Sequence, residues 1–88
     1  MKTYLITYEL KTNRYNYQNL FDAIRSYTAW GRINESTWII KTSQSALEIR
    51  NFLNNYLDYN DSIFVIITNK EAAWNNVMAS NDWLKNNL

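Results

Sequence analysis

The sequence contains no cysteine and no histidine, and Gly31 is its only glycine. The missing cysteines and histidines exclude structural zinc sites, disulfide scaffolds, thiol catalysis and every mechanism that needs an imidazole base. A single glycine also excludes a glycine-rich loop of the kind that cradles phosphates. Much of ordinary enzyme chemistry is therefore outside the reach of this chain.

The chain has no marked excess of charge of either sign. Nine lysines and arginines stand against eight aspartates and glutamates, so the formal net charge is +1. Proteins that bind nucleic acid on their own usually carry a basic excess, because neutralising phosphates supplies most of their affinity. Any nucleic-acid role would therefore depend on a local basic patch.

Long hydrophobic runs are missing as well. The longest uninterrupted apolar run, residues 63–67, is far shorter than the roughly 20 residues that span a bilayer. The first residues lack the apolar stretch of a signal peptide. We therefore expect a cytoplasmic protein with no membrane partner.

The chain does have enough apolar material for one core, since 47% of its 88 residues are hydrophobic and 16% are aromatic. Its length favours a single domain. Residues 3–10 alternate between two faces, with Tyr4 and Tyr8 on one face and Glu9 on the other, which predicts a strand. Residues 17–27 have the apolar spacing of a helix that lies on a sheet.

The middle of the chain changes to a period of two. It predicts two short strands over residues 30–33 and 36–42, or one long bent strand, and Gly31 marks a bulge or a close backbone approach. Ser45 and Glu48 have the spacing of a capping box, which indicates the start of a second helix.

The last third of the chain begins with turn chemistry at residues 58–61, where Asp61 is expected to cap the turn. The β-branched run 62–68 predicts a strand that is covered on both faces. The apolar spacing in residues 69–88 favours one or two short helices, with Ser80 or Asn81 as the cap of the last. For the first helix, Asn16 is a reasonable N-cap.

The element order is β-α-β-β-α-β, which predicts an α+β, ferredoxin-like domain with a four-stranded antiparallel sheet and two helices on one face. We expect one domain over residues 1–88, with a core over 1–68 and a short helical tail over 69–88. The tail is too apolar to extend into solvent, so it packs on this domain or on a partner.

The face of the sheet opposite the two helices is expected to be open. We predict that aromatic side chains cover it and join two chains as a homodimer, because interfaces favour tyrosine and tryptophan. A platform for stacking nucleic-acid bases is the alternative for such aromatic residues. The predicted interface residues are Tyr4, Tyr8, Trp38, Trp74 and Trp83.

Three short segments occur in a distinctive order along the chain. They are T-Y-L-I-T-Y-E-L at residues 3–10, G-R-I-N-E-S-T-W at residues 31–38 and D-S-I-F-V at residues 61–65. Together they resemble the opening strand, the hairpin and the fourth strand of the small CRISPR-associated adaptation subunit. That family is ferredoxin-like and homodimeric, and it partners the integrase in spacer acquisition.

The short SinR-like branch of relatives is more similar still. Its features are a strand S-T/V-W-x-I-x-T, a helix S-A-x-E-I-R and a C-terminal W-L-K-x-x-L. Here these features are residues 36–42, 45–50 and 83–88. The resemblance extends over nearly the whole chain.

The resemblance implies a catalytic and metal-binding role for Glu9. In the family, an acidic residue that ends the first strand lies near the dimer axis and is proposed to bind a divalent metal with its symmetry mate. Two facing carboxylates could hold Mg²⁺, and a metal-bound hydroxide could attack a phosphodiester. Here Glu replaces the usual Asp, and its extra methylene disturbs a geometry-demanding site. A solvated surface role and an ion pair across the dimer are the alternatives.

Four basic residues are candidates for contact with nucleic acid. Lys11 and Arg14 follow the first strand, and Arg32 and Lys41 lie in the predicted hairpin. The first loop and the hairpin can adjoin, so a duplex could lie on this patch through its phosphates without base readout. Scattered surface charge is the simpler account of the same residues.

Two functions from different classes follow from the sequence. The first is a homodimer related to the adaptation subunit that binds nucleic acid, with a weak Mg²⁺-dependent phosphodiesterase activity as an extension. The second is a dimeric interaction protein without catalysis, such as an antitoxin-like partner or an anti-defence factor of a mobile element. It would act by contact with a protein partner or a small ligand.

Overall fold

A computed structural model describes residues 1–11 and 17–88 of the chain. The predicted element order and the helical tail are confirmed within these residues, and the hairpin has two strands rather than one bent strand. Asn16 and Arg14 lie outside the described residues. The elements are β1 (Lys2–Glu9), α1 (Gln18–Arg25), β2 (Ala29–Asn34), β3 (Thr37–Thr42), α2 (Ala46–Asn54), β4 (Ser62–Ile67) and α3 (Asn81–Asn87).

The four strands form one antiparallel sheet in the order β2-β3-β1-β4. The central strand β1 pairs with β3 on one side and β4 on the other, and Ile6 lies opposite Trp38 and Val65. The edge strands are β2 and β4. This α+β architecture is compatible with the ferredoxin-like plan.

The two longer helices, α1 and α2, cover one face of the sheet. Their apolar stripes meet the inward side chains of β1 and β3, and burying each such aliphatic side chain contributes about 1.5–3 kcal/mol before the entropy cost of ordering it. The fully buried residues of this core are Ile6, Trp38, Ile40, Leu20, Ile24, Ile49 and Leu53.

Tyr4, Tyr8 and Trp38 belong to this core. Trp38 pairs with Ile6 in the β1–β3 register, and the two tyrosines flank Ile6 at a spacing of two, so all of them share the helix-covered face. All three are buried. The prediction that they lie on the open face is therefore wrong. Alternation shows which side chains share a face, but it does not show which face the helices cover.

The capping box at the start of α2 is confirmed. The Ser45 hydroxyl accepts a hydrogen bond from the Glu48 backbone N–H at 3.1 Å, and the Ser45 N–H donates to Glu48 Oε1 at 3.0 Å. These two bonds satisfy donors that a helix N-terminus leaves unpaired. The start of α2 is thus fixed by local sequence alone.

The third helix, α3, packs on the opposite face of the sheet. Leu84 is buried there, and the ring of Trp83 lies against Gly31 in β2. Ser80 is the N-cap, since its hydroxyl accepts from the Trp83 N–H at 3.1 Å. The tail therefore docks on its own chain and covers the half of this face that belongs to β2 and β3.

The other half of this face, over β1 and β4, is not covered by any described helix. Phe64 is 59% exposed and Ile66 is 48% exposed. The prediction that this strand is covered on both faces is wrong, because β4 is an edge strand that packs on the helices through one face only. The apolar run that indicated a doubly buried strand instead gives an exposed apolar surface.

Candidate functional site

The uncovered half of the second sheet face forms a continuous apolar surface, which we call the open patch and define as Leu5, Phe64 and Ile66. Leu5 lies opposite Ile66 in the β1–β4 register, and Thr7 lies opposite Phe64. One step further along, Glu9 lies opposite Ser62. The open patch is thus apolar, and a polar end of the sheet, formed by Glu9 and Ser62, adjoins it.

Glu9 lies at that polar end with its carboxylate in solvent. Its side chain is 72% exposed, and Oε1 lies 3.7 Å from Lys11 Nζ. No three His, Cys, Asp or Glu side chains come together in residues 1–11 and 17–88. Within one chain, the Glu9 carboxylate beside an ammonium group does not by itself make a Mg²⁺ centre, which needs several oxygen ligands. The predicted metal site would need the carboxylate of a second chain.

Asp61 fixes the geometry of this end of the sheet. Its carboxylate accepts hydrogen bonds from the backbone N–H groups of Lys11 and Asp58 and from the Tyr17 hydroxyl, each at 2.8 Å. Burial acts to raise the pKa of the carboxyl, but these hydrogen bonds favour the charged form and hold the pKa below its usual value. Asp61 therefore caps the turn as predicted, and it ties the end of β1 to the start of β4.

The predicted nucleic-acid-binding residues do not form one track. Lys41 pairs with Thr3 and Ala29, which places it on the face that carries the open patch. Arg32 lies on the helix-covered face, over aromatic rings. Lys11 is beside Glu9 at the end of β1. The described cations thus lie on different faces of the sheet.

Arg32 instead forms a cluster with an arginine that the sequence analysis missed, Arg25 at the end of α1. The Arg32 Cζ atom lies 4.6 Å from the ring centroid of Phe21 and 4.7 Å from that of Trp38. The Arg25 Cζ atom lies 5.5 Å from the ring of Trp30 and 5.3 Å from that of Trp38. We call these two arginines and the rings of Trp30 and Trp38 the arginine–tryptophan cluster. No local pattern in the sequence indicates this cluster, because both arginines meet through Trp38 on another strand.

The buried aromatic residues below the cluster are linked by hydrogen bonds. Trp38 Nε1 donates to the Tyr8 hydroxyl at 2.9 Å, and that hydroxyl donates to the Glu35 carbonyl at 2.9 Å. Burial raises the pKa of Tyr8, although the hydrogen bond from Trp38 acts in the opposite direction. Tyr8 thus stays a neutral donor at physiological pH, and these side chains have a structural role within one chain.

The two predicted interface tryptophans of the tail also have partners within the chain. Trp83 packs on Gly31, and Trp74 Nε1 donates to Asn81 Oδ1 at 2.9 Å. The first contact holds the tail against β2, and the second lies within the tail itself. Their part in a dimer stays a prediction.

Comparison of the chain with known families and solved structures does not assign a function to these surfaces. No family model matches the sequence. No solved structure matches the chain. Among the described residues, no helix is both long enough and apolar enough to cross a membrane. The resemblance to the CRISPR-associated adaptation subunit therefore stays a prediction, and the open patch and the arginine–tryptophan cluster support the proposals below.

Proposed function

We propose that this chain is a binding protein that works as a homodimer, with the open patch as the interface between its two copies. The observation that carries this proposal is the exposure of Phe64 and Ile66 side by side on the sheet, next to Leu5. Monomeric proteins seldom leave contiguous large apolar side chains in water. Covering this surface supplies stabilisation that a domain of this size otherwise lacks.

A second copy is the partner that fits the open patch best. The strand that carries the patch, β4, has the sequence SIFVII and contains no charge, so two copies can meet without burying an unpaired ion. A twofold axis brings the same surface of each chain together, which suits an apolar patch with no complementary charge pattern. The ion pair of Glu9 and Lys11 then lies at the rim, where interfaces are polar.

The scattering of the described cations favours binding through this surface over binding to a duplex. Arg32 and Lys41 lie on opposite faces of the sheet, so they cannot contact one stretch of phosphates together. Paired Glu9 carboxylates, a bound Mg²⁺ and phosphodiester cleavage stay predictions that rest on the resemblance. They depend on the same dimer, since the described residues of one chain bring no three acidic side chains together.

The mass in solution tests the proposed dimer. Sedimentation equilibrium of the wild-type protein should give twice the chain mass of 10.5 kDa. In Phe64→Lys, a charge in the centre of the interface should weaken dimerisation about tenfold or more, since leaving a charge unpaired there costs several kcal/mol. Circular dichroism should show that this variant keeps its fold, because Phe64 lies outside the core.

Leu47→Lys is the matched control for this experiment. Leu47 is also an exposed apolar residue, but it lies on α2, on the other side of the sheet. This variant should remain dimeric. A wild-type protein that is monomeric at micromolar concentration contradicts the proposal, and so does a Leu47→Lys variant that dissociates as readily as Phe64→Lys.

A further inference from the structure

A cleft of about 700 Å³ runs along the edge strand β2. We call it the β2 cleft. This volume is typical of sites for small organic ligands. It lies at the opposite edge of the sheet from β4, so it is separate from the open patch. Residues on both sides of the strand line it, among them Arg25, Arg32, Trp30, Trp83, Met78 and Ser80.

The positive charge of the β2 cleft comes from two guanidinium groups that both rest on the ring of Trp38, with Cζ atoms 5.3 Å and 4.7 Å from its centroid. Both groups are cations that lie near one ring, so an anion bound by both would neutralise positive charge there. The N–H groups of a guanidinium form the planar fork that binds phosphate.

Few groups in the described chain use these donors. Arg32 Nη2 donates to the Glu35 carbonyl at 2.8 Å, while the buried Arg32 Nε has no partner among the described residues. Arg25 Nη1 lies 3.5 Å from Asp22 Oδ1, a long contact with a carboxylate that is itself 64% exposed. An exposed ion pair of this kind contributes little. The Tyr8 hydroxyl is a further neighbour of the Arg32 guanidinium, and the Arg32 Nε atom is buried, so Arg25 is the arginine that retains most donor capacity for a ligand.

The rest of the β2 cleft suits a planar ring. Trp30 is 39% exposed and offers an aromatic surface next to Arg25, and stacking of a base on such a ring typically contributes about 1–3 kcal/mol. Because β2 is an edge strand, its outer peptide groups are not paired within the sheet. One of them, the Ile33 carbonyl, accepts from the Met78 N–H of the tail at 3.0 Å. Two arginines that can bind an anion and an aromatic ring that can stack thus line one cleft.

We propose that the β2 cleft binds a mononucleotide unit, with its phosphate on Arg25 and Arg32 and its base stacked on Trp30. The unit has two sources with the same chemistry: a free nucleoside monophosphate, or the 5′-phosphorylated end of a single strand. This site does not depend on the dimer, so Phe64→Lys should bind the same ligand with unchanged affinity.

Calorimetric titration of the wild-type protein at low salt tests the proposal with five probes. Adenosine 5′-monophosphate should bind saturably, whereas adenosine and inorganic phosphate should each bind about tenfold or more weakly, because each lacks one of the two contacts. A single-stranded oligonucleotide with and without a 5′-phosphate separates the two sources. If the phosphorylated strand binds more tightly than the mononucleotide, the ligand is the strand end. If it binds more weakly, the ligand is the free nucleotide.

Two variants assign the contacts. Arg25→Gln should weaken binding of both adenosine 5′-monophosphate and ribose 5-phosphate about tenfold. Trp30→Leu should weaken only the binding of adenosine 5′-monophosphate, to the level of ribose 5-phosphate. Arg50→Gln is the control, because Arg50 is an exposed arginine on α2 whose guanidinium bonds to Asn51.

Three results would overturn the proposal. The first is the absence of saturable binding of adenosine 5′-monophosphate at millimolar concentration. The second is equal affinity for inorganic phosphate and the mononucleotide. The third is a folded Arg25→Gln variant that binds as the wild type does. The probe series on the wild-type protein decides the first two without any variant, so the result does not depend on whether a variant folds.

Discussion

At the scale of single residues, the buried aromatic side chains differ in how well their polar atoms are satisfied. Tyr4, Tyr8 and Trp38 each have a hydrogen-bond partner for the hydroxyl or indole N–H. Tyr27 does not. Its ring packs edge-on against Phe52, with centroids 6.0 Å apart, while its hydroxyl is buried without a partner in the described chain. A buried polar atom left unpaired lowers stability.

The Tyr27 hydroxyl predicts a specific dependence of stability on pH. Burial, with the nearby charge of Glu48, raises the pKa of Tyr27 from 10.0 to about 12. The folded state holds the Tyr27 proton more tightly than the unfolded state does. The contribution of this proton to the free energy of unfolding is therefore complete below pH 10 and is lost as the pH rises to 12. Tyr27→Phe should reduce that loss.

Chemical denaturation at pH 7 and at intervals above pH 10 measures this effect. At pH 7 we expect Tyr27→Phe to be as stable as the wild type or more stable by up to about 1 kcal/mol, because the unpaired hydroxyl is removed. The Tyr27→Phe variant should still lose some stability at alkaline pH, because the pKa of Tyr8 is also raised in the folded state. Tyr59→Phe, which alters a fully exposed side chain, is the control. A steeper alkaline loss in Tyr27→Phe than in the wild type would contradict this account.

At the scale of the elements, the docking of α3 depends on one position without a side chain. A Cβ atom at Gly31 would lie 2.5, 2.7 and 2.9 Å from three atoms of the Trp83 ring. Real side chains do not approach that closely, so the glycine in β2 is what lets α3 lie flat on the sheet. The close approach expected from a glycine in a strand is confirmed, and the register irregularity lies after Gly31, between Arg32 and Asn34.

Gly31→Ala should therefore loosen α3 from the sheet. We expect the free energy of unfolding to fall by about 1–3 kcal/mol, the usual cost of overpacking, and tryptophan fluorescence to shift toward that of solvated indole. In a Trp83→Ala background the same substitution should cost nearly nothing, since the clash is removed. An equal cost in both backgrounds would show that the Trp83 ring is not what Gly31 accommodates.

The local features of the sequence predicted the elements better than they predicted the coverage of the sheet. The period of two over residues 3–10 and the Ser45–Glu48 capping box each depend on neighbours in the chain, and both are confirmed. The face that receives α1 and α2 depends on the twist and handedness of the whole sheet. The alternation therefore predicted correctly that Tyr4 and Tyr8 share one face of the sheet, but it led to the wrong choice of face.

The candidate site shows the same division. Glu9 and Asp61 could be placed from the sequence, because each lies at the end of a strand or turn that local chemistry defines. The cluster of Arg25 and Arg32 could not be predicted from the sequence, because both arginines contact the ring of Trp38, which lies on another strand. Contacts of that kind appear only after three elements have packed together.

At the scale of the whole molecule, the two proposed surfaces lie at opposite edges of the sheet. The β2 cleft follows one edge strand, and the open patch lies over β1 and the other edge strand, β4. A dimer formed through the open patch leaves both β2 clefts on the outside of the assembly, where each can bind a ligand without hindrance from the other chain. The two surfaces are separate because α3 covers the second sheet face over β2 and β3 but not over β1 and β4.

The most direct test of the dimer is the distance between the two copies of Ser62, which lies exposed on β4 opposite Glu9 at the rim of the open patch. The chain has no cysteine, so Ser62→Cys carries one spin label per chain, and double electron–electron resonance reads the distance between chains. The proposed dimer predicts a single distance shorter than 27 Å, the middle dimension of one chain. A distance of 36 Å or more, the longest dimension of the chain, or no coupling between chains, would contradict it.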